Sequence, residues 1–343
     1  MNKVRRQIVR ALLGGNKSFW ELIRHQDGDL PSFCREVEAL LREGLIQEEG
    51  RTLTLTSAGK EIAAGEGLRE LQLLRCEECG GKGIKTVGLF AEVAEEFRRL
   101  TTNRPPAIAE FDQGYVEPEN TVARAAYLYM RGDLEKRRLF ILGDDDLTSV
   151  AAALTGMPEE ITVAEIDERL VDYINNLAKE KGWSNLRAVK YDVRKPLPDE
   201  WKQQYDVFVT DPVETVPGIS LFLSRCAETL KGAGCAGYFG LTHLEASRRK
   251  WHTIQRILLD MNLVITDIIR DFHSYLLERE GFIAKNYPLV EKAPVTLPAP
   301  ELNWYTSSLF RLEAIDQTRP AVTGTGPEGR ELYFDDESYA TLP

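Results

Sequence analysis

Between residues 138 and 241 short apolar runs alternate with amphipathic stretches, and that alternation narrows the fold more than any other feature of the chain. The runs fall at 138–142 (RLFIL), 161–166 (ITVAEI), 186–191, 206–210 and 235–241, each of strand length. Between them lie a small-residue helix at 148–155, a helix with Leu170, Val171, Ile174, Leu177 and Ala178 on one face, and a third with Ile219, Phe222, Leu223, Cys226 and Leu230 inward and Gly232 as its stop. Strands joined through helices of this length predict right-handed crossovers and a mostly parallel sheet covered on both faces. Runs at 263–270 and 307–314 are expected to close one edge as an antiparallel pair.

Upstream, three amphipathic patterns at 4–13, 18–25 and 31–43 precede an alternating run around Glu49-Gly50, the pattern of a winged helix. The helix that would enter a DNA groove, PSFCREVEALLRE, sets Glu36, Glu38 and Glu43 against Arg35 and Arg42, so packing or dimerisation is the better expectation. The expected division is a winged-helix-like domain (1–64), a linker with a C-x2-C knuckle and a helix (65–104), a catalytic domain (105–316) and an acidic, mobile tail (317–343). No stretch is long and apolar enough to span a membrane and the N-terminus lacks a signal peptide, which predicts a cytoplasmic protein with no membrane partner. Cys76 and Cys79 could clasp a structural zinc, but they make half a site, and the other ligands would have to come from Cys226, Cys235, a His or a second subunit. The four His show no metal spacing; only His243 falls near the strand ends. No metal and no tightly bound cofactor are therefore expected.

In an open parallel sheet the ligand sits beyond the carboxyl ends of the strands. Here those ends carry Gly143-Asp144-Asp145-Asp146, then Glu165 and Asp167, then Asp192, then Asp211-Pro212-Val213-Glu214. One such acid is commonly a helix cap; acids after four consecutive strands form a rim. Glu165 suits the two hydroxyls of a ribose. The first turn lacks the G-x-G-x-x-G that brings backbone to a pyrophosphate, and three carboxylates there repel phosphate, so NAD and ATP are disfavoured. The net charge of -11 likewise excludes a nucleic-acid backbone as the preferred partner. An adenosyl sulfonium remains. The carboxylate of S-adenosylmethionine would be repelled by this turn at a cost of about 1 kcal/mol or more. Decarboxylated S-adenosylmethionine has no carboxylate and carries two positive charges, so the turn favours an aminopropyl donor and the rim continues toward a second cation, a polyamine.

The segments RRLFILGDDDLTSVAAALTG, TVAEIDERLVDYI and FVTDPVETVPG resemble the branched-chain polyamine synthases of thermophilic bacteria and archaea, the N4-bis(aminopropyl)spermidine synthases. The resemblance spans nearly the whole chain, including the winged helix, the C-x2-C and FDQGY at 111–115. It implies a methyltransferase-like α/β fold, a homodimer and two successive aminopropyl transfers to the central nitrogen of spermidine. It also implies that an aspartate of the G-D-D-D turn, carried onto Asp146, is central to catalysis. The family's D-P-P-E reads Asp211-Pro212-Val213-Glu214, in which Val213 removes a proline's constraint but leaves both carboxylates.

On this reading Asp146 positions and deprotonates the amine, and Asp211 and Glu214 bind it. Asp112, Gln113, Tyr115 and Glu117 close over it. Gly143, Asp144, Asp145, Glu165, Asp167 and Asp192 hold the donor, with Asp144 equally suited to capping the turn. Two other readings stay open: a DNA adenine methyltransferase, whose base-stacking aromatic would fall at Glu214, and a polyamine-sensing winged-helix regulator.

Overall fold

The computed structural model describes residues 1–71, 74–108, 111–276, 293–327 and 329–338. Helices α1 (Lys3–Leu13), α2 (Phe19–Ile23) and α3 (Leu30–Arg42) start where the sequence supplies a side-chain cap: Asn2, Ser18 and Asp29 each accept a backbone N–H of the first turn. Strands β1 (Ile46–Glu49) and β2 (Thr52–Leu55) pair antiparallel, turning at Gly50 with φ 65°. Helix α4 (Ser57–Gly65) follows, capped by Thr56. The core of this unit, with Phe19, Trp20, Phe33 and Val37, does not close on itself. It takes in Val116, Leu244, Tyr275 and Trp304 from the rest of the chain. Trp20 packs on Trp304 at 5.0 Å between ring centroids and donates its indole N–H to the Pro298 carbonyl.

Helices α5 (Leu89–Thr101) and α6 (Pro118–Met130) lead into a seven-stranded sheet. In chain order its elements are β3 (Arg138–Leu142), α7 (Thr148–Leu154), β4 (Glu160–Glu165), α8 (Glu168–Lys181), β5 (Leu186–Lys190), β6 (Val207–Thr210) and α9 (Val216–Thr229). They continue with β7 (Ala236–Leu241), α10 (Arg248–Asp260), β8 (Leu263–Ser274) and β9 (Thr306–Ala314). The strand order is β5-β4-β3-β6-β7-β9-β8, with β9 antiparallel to both neighbours and every other pair parallel. This is the α/β, methyltransferase-like mixed sheet that was expected, closed by the expected antiparallel pair. Alternation along the strands sends Leu139, Ile141, Val163 and Val209 to one helical layer and Phe140, Phe208, Phe239 and Phe310 to the other. Gly237 is where the second layer is tightest: a Cβ there would lie 2.1 Å from the Phe208 ring.

Sequence periodicity misses α10, whose buried stripe is only Lys250, Ile254 and Leu258 on an otherwise polar helix. Phe222, expected inward on α9, packs against the core and also lines a cavity. The segment 317–343, expected to be mobile, is docked over its described length; residues 339–343 lie outside the described residues. The reason is a set of buried polar anchors. Arg225, fully buried on α9, donates to the carbonyls of Val193, Val322 and Gly324 and pairs with Glu228. The Gly326 N–H reaches the Arg194 carbonyl at 2.7 Å, and Lys250 Nζ reaches Asp335 at 2.9 Å and Ser338 Oγ at 2.7 Å. Among the described residues, no helix is long and apolar enough to cross a membrane.

Arg225→Met would keep the packing but remove the donor shared by the Val193, Val322 and Gly324 carbonyls. It should lower the unfolding free energy by about 3 kcal/mol and speed proteolytic cleavage of the 317–338 segment. A variant with wild-type melting and proteolysis would show that the anchors are not needed.

Candidate active site

Strand order reverses between β3 and β6, on either side of which the chain departs in opposite directions and leaves a crevice at the strand ends. A cavity of about 100 Å³ occupies it. The first turn is made possible by two left-handed residues, Gly143 (φ 73°) and Leu147 (φ 55°), which fold the three aspartates into separate environments. Asp144, 1% exposed, turns inward and caps α7 through the Ser149 N–H. Burial, with the charges of Glu165 and Asp146 adding to it, pushes its carboxyl up to about 8. Asp145 lines the cavity, held by the N–H groups of Gly114 and Asp146, and burial beside Asp146, Glu165 and Asp211 raises its carboxyl well above the usual range. Asp146 stands behind it, 3% exposed, with both oxygens engaged: Oδ1 accepts the Val116 N–H at 2.8 Å and Oδ2 the Arg124 guanidinium at 2.9 Å.

Glu165 lines the cavity and is fixed by the N–H groups of Asp144 and Asp167; burial raises its carboxyl. Asp167 instead caps α8 and clasps Arg169; burial alone would raise its carboxyl, but the hydrogen bonds from Arg169 and Gln113 hold it low. Asp192 lines the cavity with its carboxyl held low by Arg194. Gly143, Asp112 and Gln113 face the same space. Tyr115 does not: it lies under the Arg104 guanidinium, 3.1 Å from the ring centroid, in a neighbouring cleft. Glu117 sits at the start of α6, bonded by Asn303 and Asn120. The expected donor and acceptor residues therefore converge only in part, with Asp144, Asp146 and Asp167 spent on caps and ion pairs behind the wall.

On the β6 side, Asp211 lines the cavity and accepts the Tyr275 hydroxyl at 2.6 Å. Burial and Asp146 push it up while Arg124 and Tyr275 pull it down, leaving it at about 6. Glu214 accepts the Thr242 N–H at Oε1, and its buried Oε2 has no partner among the described residues; burial and Glu245 raise it well above the usual range. Val213 is buried against the cavity, and the loop it interrupts is held elsewhere, by the Thr215 hydroxyl on the Leu332 carbonyl at 2.7 Å.

Five residues of this site escape sequence reading. Glu245, just after β7, obeys the acid-after-strand rule that identified the others and could have been found; it is buried and bonded by the Tyr305 hydroxyl at 2.9 Å. Arg124 reads as an ordinary helix residue, Tyr275 falls beyond the expected strand at 263–270, Tyr333 reads as part of a tail and Phe222 as core; only the tertiary fold brings them here. His243 is buried but does not line the cavity, and burial and Arg270 push it down to about 4. Cys79 accepts the Gly83 N–H at 3.3 Å, which lowers its thiol; no group of three or more His, Cys, Asp or Glu among the described residues could hold a metal.

Gly240 on β7 leaves room for Asp211: a Cβ there would lie 2.3 Å from Asp211 Oδ1. Gly240→Ala must displace that carboxylate, and steady-state kinetics should show kcat falling by about 100-fold. Unchanged kcat would mean that the position of Asp211 is immaterial.

The profile of the branched-chain polyamine synthase A C-terminal domain matches residues 92–340. The N(4)-bis(aminopropyl)spermidine synthase of Thermococcus kodakarensis is 41% identical, the match covering 97% of this chain and 93% of that one. The enzyme of the same name from Thermus thermophilus is 40% identical over 90% of this chain and 87% of its own. A crystal structure of the Thermus thermophilus branched-chain polyamine synthase, in complex with N4-aminopropylspermidine and 5'-methylthioadenosine, superimposes with a TM-score of 0.86 at 36% identity over 98% of this chain and 93% of that one. With a profile match over most of its length and relatives aligned almost end to end, this chain belongs to the branched-chain polyamine synthase family.

Proposed function

We propose that the protein moves aminopropyl groups from decarboxylated S-adenosylmethionine to the central secondary amine of spermidine. The first transfer gives N4-aminopropylspermidine, the second N4-bis(aminopropyl)spermidine, each with 5'-methylthioadenosine. The observation that carries this reading is the meeting of Asp145, Glu165, Asp192 and Asp211 on one cavity with no basic side chain among its described lining residues. Several of these carboxyls are raised by burial and mutual repulsion, a wall whose charge is relieved by a cation and aggravated by an anion. The product and the thioether bound by the Thermus thermophilus relative support the same assignment.

In the transfer the amine nitrogen attacks the propyl carbon bonded to sulfur; the C–N bond forms, the C–S bond breaks and its electron pair stays on sulfur, which leaves neutral. No acid is needed at the leaving group, but the amine must first lose its proton. Glu165 takes the ribose hydroxyls, Asp145 faces the donor's propylammonium, and Asp192 holds the adenine. Glu214 and Glu245 hold an ammonium end of the acceptor. Asp146 was expected to take the amine's proton. With both its oxygens already engaged by Val116 and Arg124, it serves better as a fixed negative charge, and Asp211, which lines the cavity, is the proton acceptor in this reading. Glu214 cannot stack on a flipped base as the aromatic of a DNA adenine methyltransferase does. The unit at residues 1–64 is taken as a winged-helix packing domain, 65–104 as the linker, 105–316 as the catalytic domain and 317–343 as a closing segment; the working form is a cytoplasmic homodimer.

Calorimetric titration with both donors tests the reading. Decarboxylated S-adenosylmethionine should bind at least about tenfold more tightly than S-adenosylmethionine, matching one repelled carboxylate. With spermidine present, mass spectrometry should find branched products. Equal or reversed affinity, or a purely linear product, would contradict it.

A further inference from the structure

Behind the cavity wall, Asp146 and Asp211 are joined through buried polar side chains that none of the roles above requires. Arg124, His273, Ser307 and Tyr275 are each 8% exposed or less. Arg124 Nη2 bonds Asp146 Oδ2 at 2.9 Å, and its Nε and Nη2 lie 3.1 Å and 2.9 Å from His273 Nε2. His273 Nδ1 is 2.9 Å from Ser307 Oγ, Ser307 Oγ is 3.1 Å from Tyr275 Oη, and Tyr275 Oη is 2.6 Å from Asp211 Oδ2.

Proton positions in this series follow from its two ends. A guanidinium only donates, so His273 Nε2 must be the bare acceptor and the ring proton must sit on Nδ1. Burial, with Arg124 beside the ring, pushes the imidazole far below its usual range and keeps it neutral. Nδ1–H then donates to Ser307, which passes its own hydroxyl hydrogen to Tyr275. Tyr275 in turn donates to Asp211 at a separation typical of a hydroxyl on a carboxylate. From His273 onward each hydrogen thus points the same way, toward Asp211. Oδ2 of Asp211 is thereby reserved as an acceptor, and a proton arriving from the cavity goes to Oδ1.

The backbone is shaped to build this series. Between the pairs Ile269–Leu309 and His273–Ser307, β8 advances four residues while β9 advances two, a bulge in which Asp271 takes φ 52°. A regular ladder would set other residues opposite Ser307; the bulge re-aims His273 and brings Tyr275 over Asp211.

We infer that His273, Ser307 and Tyr275 are positioning residues, a one-way hydrogen-bond chain anchored on Arg124 that orients Asp211 and sets its affinity for the acceptor amine's proton. The inference rests on the reading of Asp211 as proton acceptor. Other charges facing Asp211 are Asp145 and Asp146 from the first turn, Glu214 from its own loop and Arg124 from α6.

The test is the pH profile of kcat/KM for the full chain and three variants. Asp211→Asn should lose about 100-fold in turnover. Tyr275→Phe removes the donor that favours the ionised carboxylate, so the acidic limb should move up by about one pH unit. Ser307→Ala should move it the same way by less, and it serves as the second reading if Tyr275→Phe does not fold. A residue that only supported the fold would lower the rate at every pH and leave the limb in place. Loss of activity in Asp211→Asn with unmoved limbs in both other variants would overturn the chain alone. An active Asp211→Asn that keeps its acidic limb would overturn the base assignment and the inference with it. Nitrogen NMR of histidine-labelled protein gives a check independent of the base: His273 protonated at Nδ1 is expected, and an Nε2–H tautomer would overturn the wiring.

Discussion

Arg124 is the charge that lets the acidic wall exist. Asp144, Asp145, Asp146 and Asp211 come from two loops that the sheet brings together, and their mutual repulsion adds to the cost of taking each out of water. One guanidinium, 4% exposed, answers this from behind, on Asp146, Thr148 and His273 at once. A planar fork with fixed donors can do this, whereas a lysine at the same place would supply the charge without the geometry. Asp144 and Asp145, which Arg124 does not reach, are left with raised affinity for protons. That is the property a receptor for a doubly charged cation requires.

The same arrangement divides labour between the two faces of the wall. Toward the cavity stand Asp145, Glu165, Asp192 and Asp211, which line it. Behind them Asp144 caps α7, Asp167 caps α8 and Asp146 pairs with Arg124. Acids in adjacent sequence positions thus have unlike roles because Gly143 and Leu147 turn the backbone between them. The tail completes the enclosure with Tyr333, and Lys250 ties its Asp335 and Ser338 to the backbone carbonyls of Glu214 and Glu245. The position of the Glu214 and Glu245 backbone and the docking of the tail are therefore one mechanical unit.

Much of this was legible in the residues. Strand β3 falls where RLFIL places it, and the acids after β3, β4, β5 and β6 identify the cavity because parallel topology puts those ends together. What the sequence could not display was pairing at long range. Arg124 lies in an apolar helix pattern, and its partners are 22 and 149 residues away. The β8 bulge leaves no periodic signature, so nothing marks His273 over the more obviously placed His243. Nor could sequence show that Asp146 is engaged by Val116 and Arg124, which is a property of the fold. The docked tail was missed for a similar reason: its Gly, Pro and acidic composition resembles a mobile segment until buried Arg225 and Lys250 are in place.

The central claim is that the wall is a partly protonated receptor for a dication. Burial raises the carboxyl of Asp144 to about 8 and those of Asp145 and Glu214 well above their usual range, so each binds its proton more tightly than a solvated carboxyl does. A bound dication favours their ionised forms, so binding should expel protons. Calorimetry of decarboxylated S-adenosylmethionine binding at pH 7, repeated in buffers of different ionisation enthalpy, reads this directly. The expected result is a buffer-dependent heat corresponding to release of on the order of one proton per donor bound. A heat independent of buffer, or one that signals proton uptake, would contradict it.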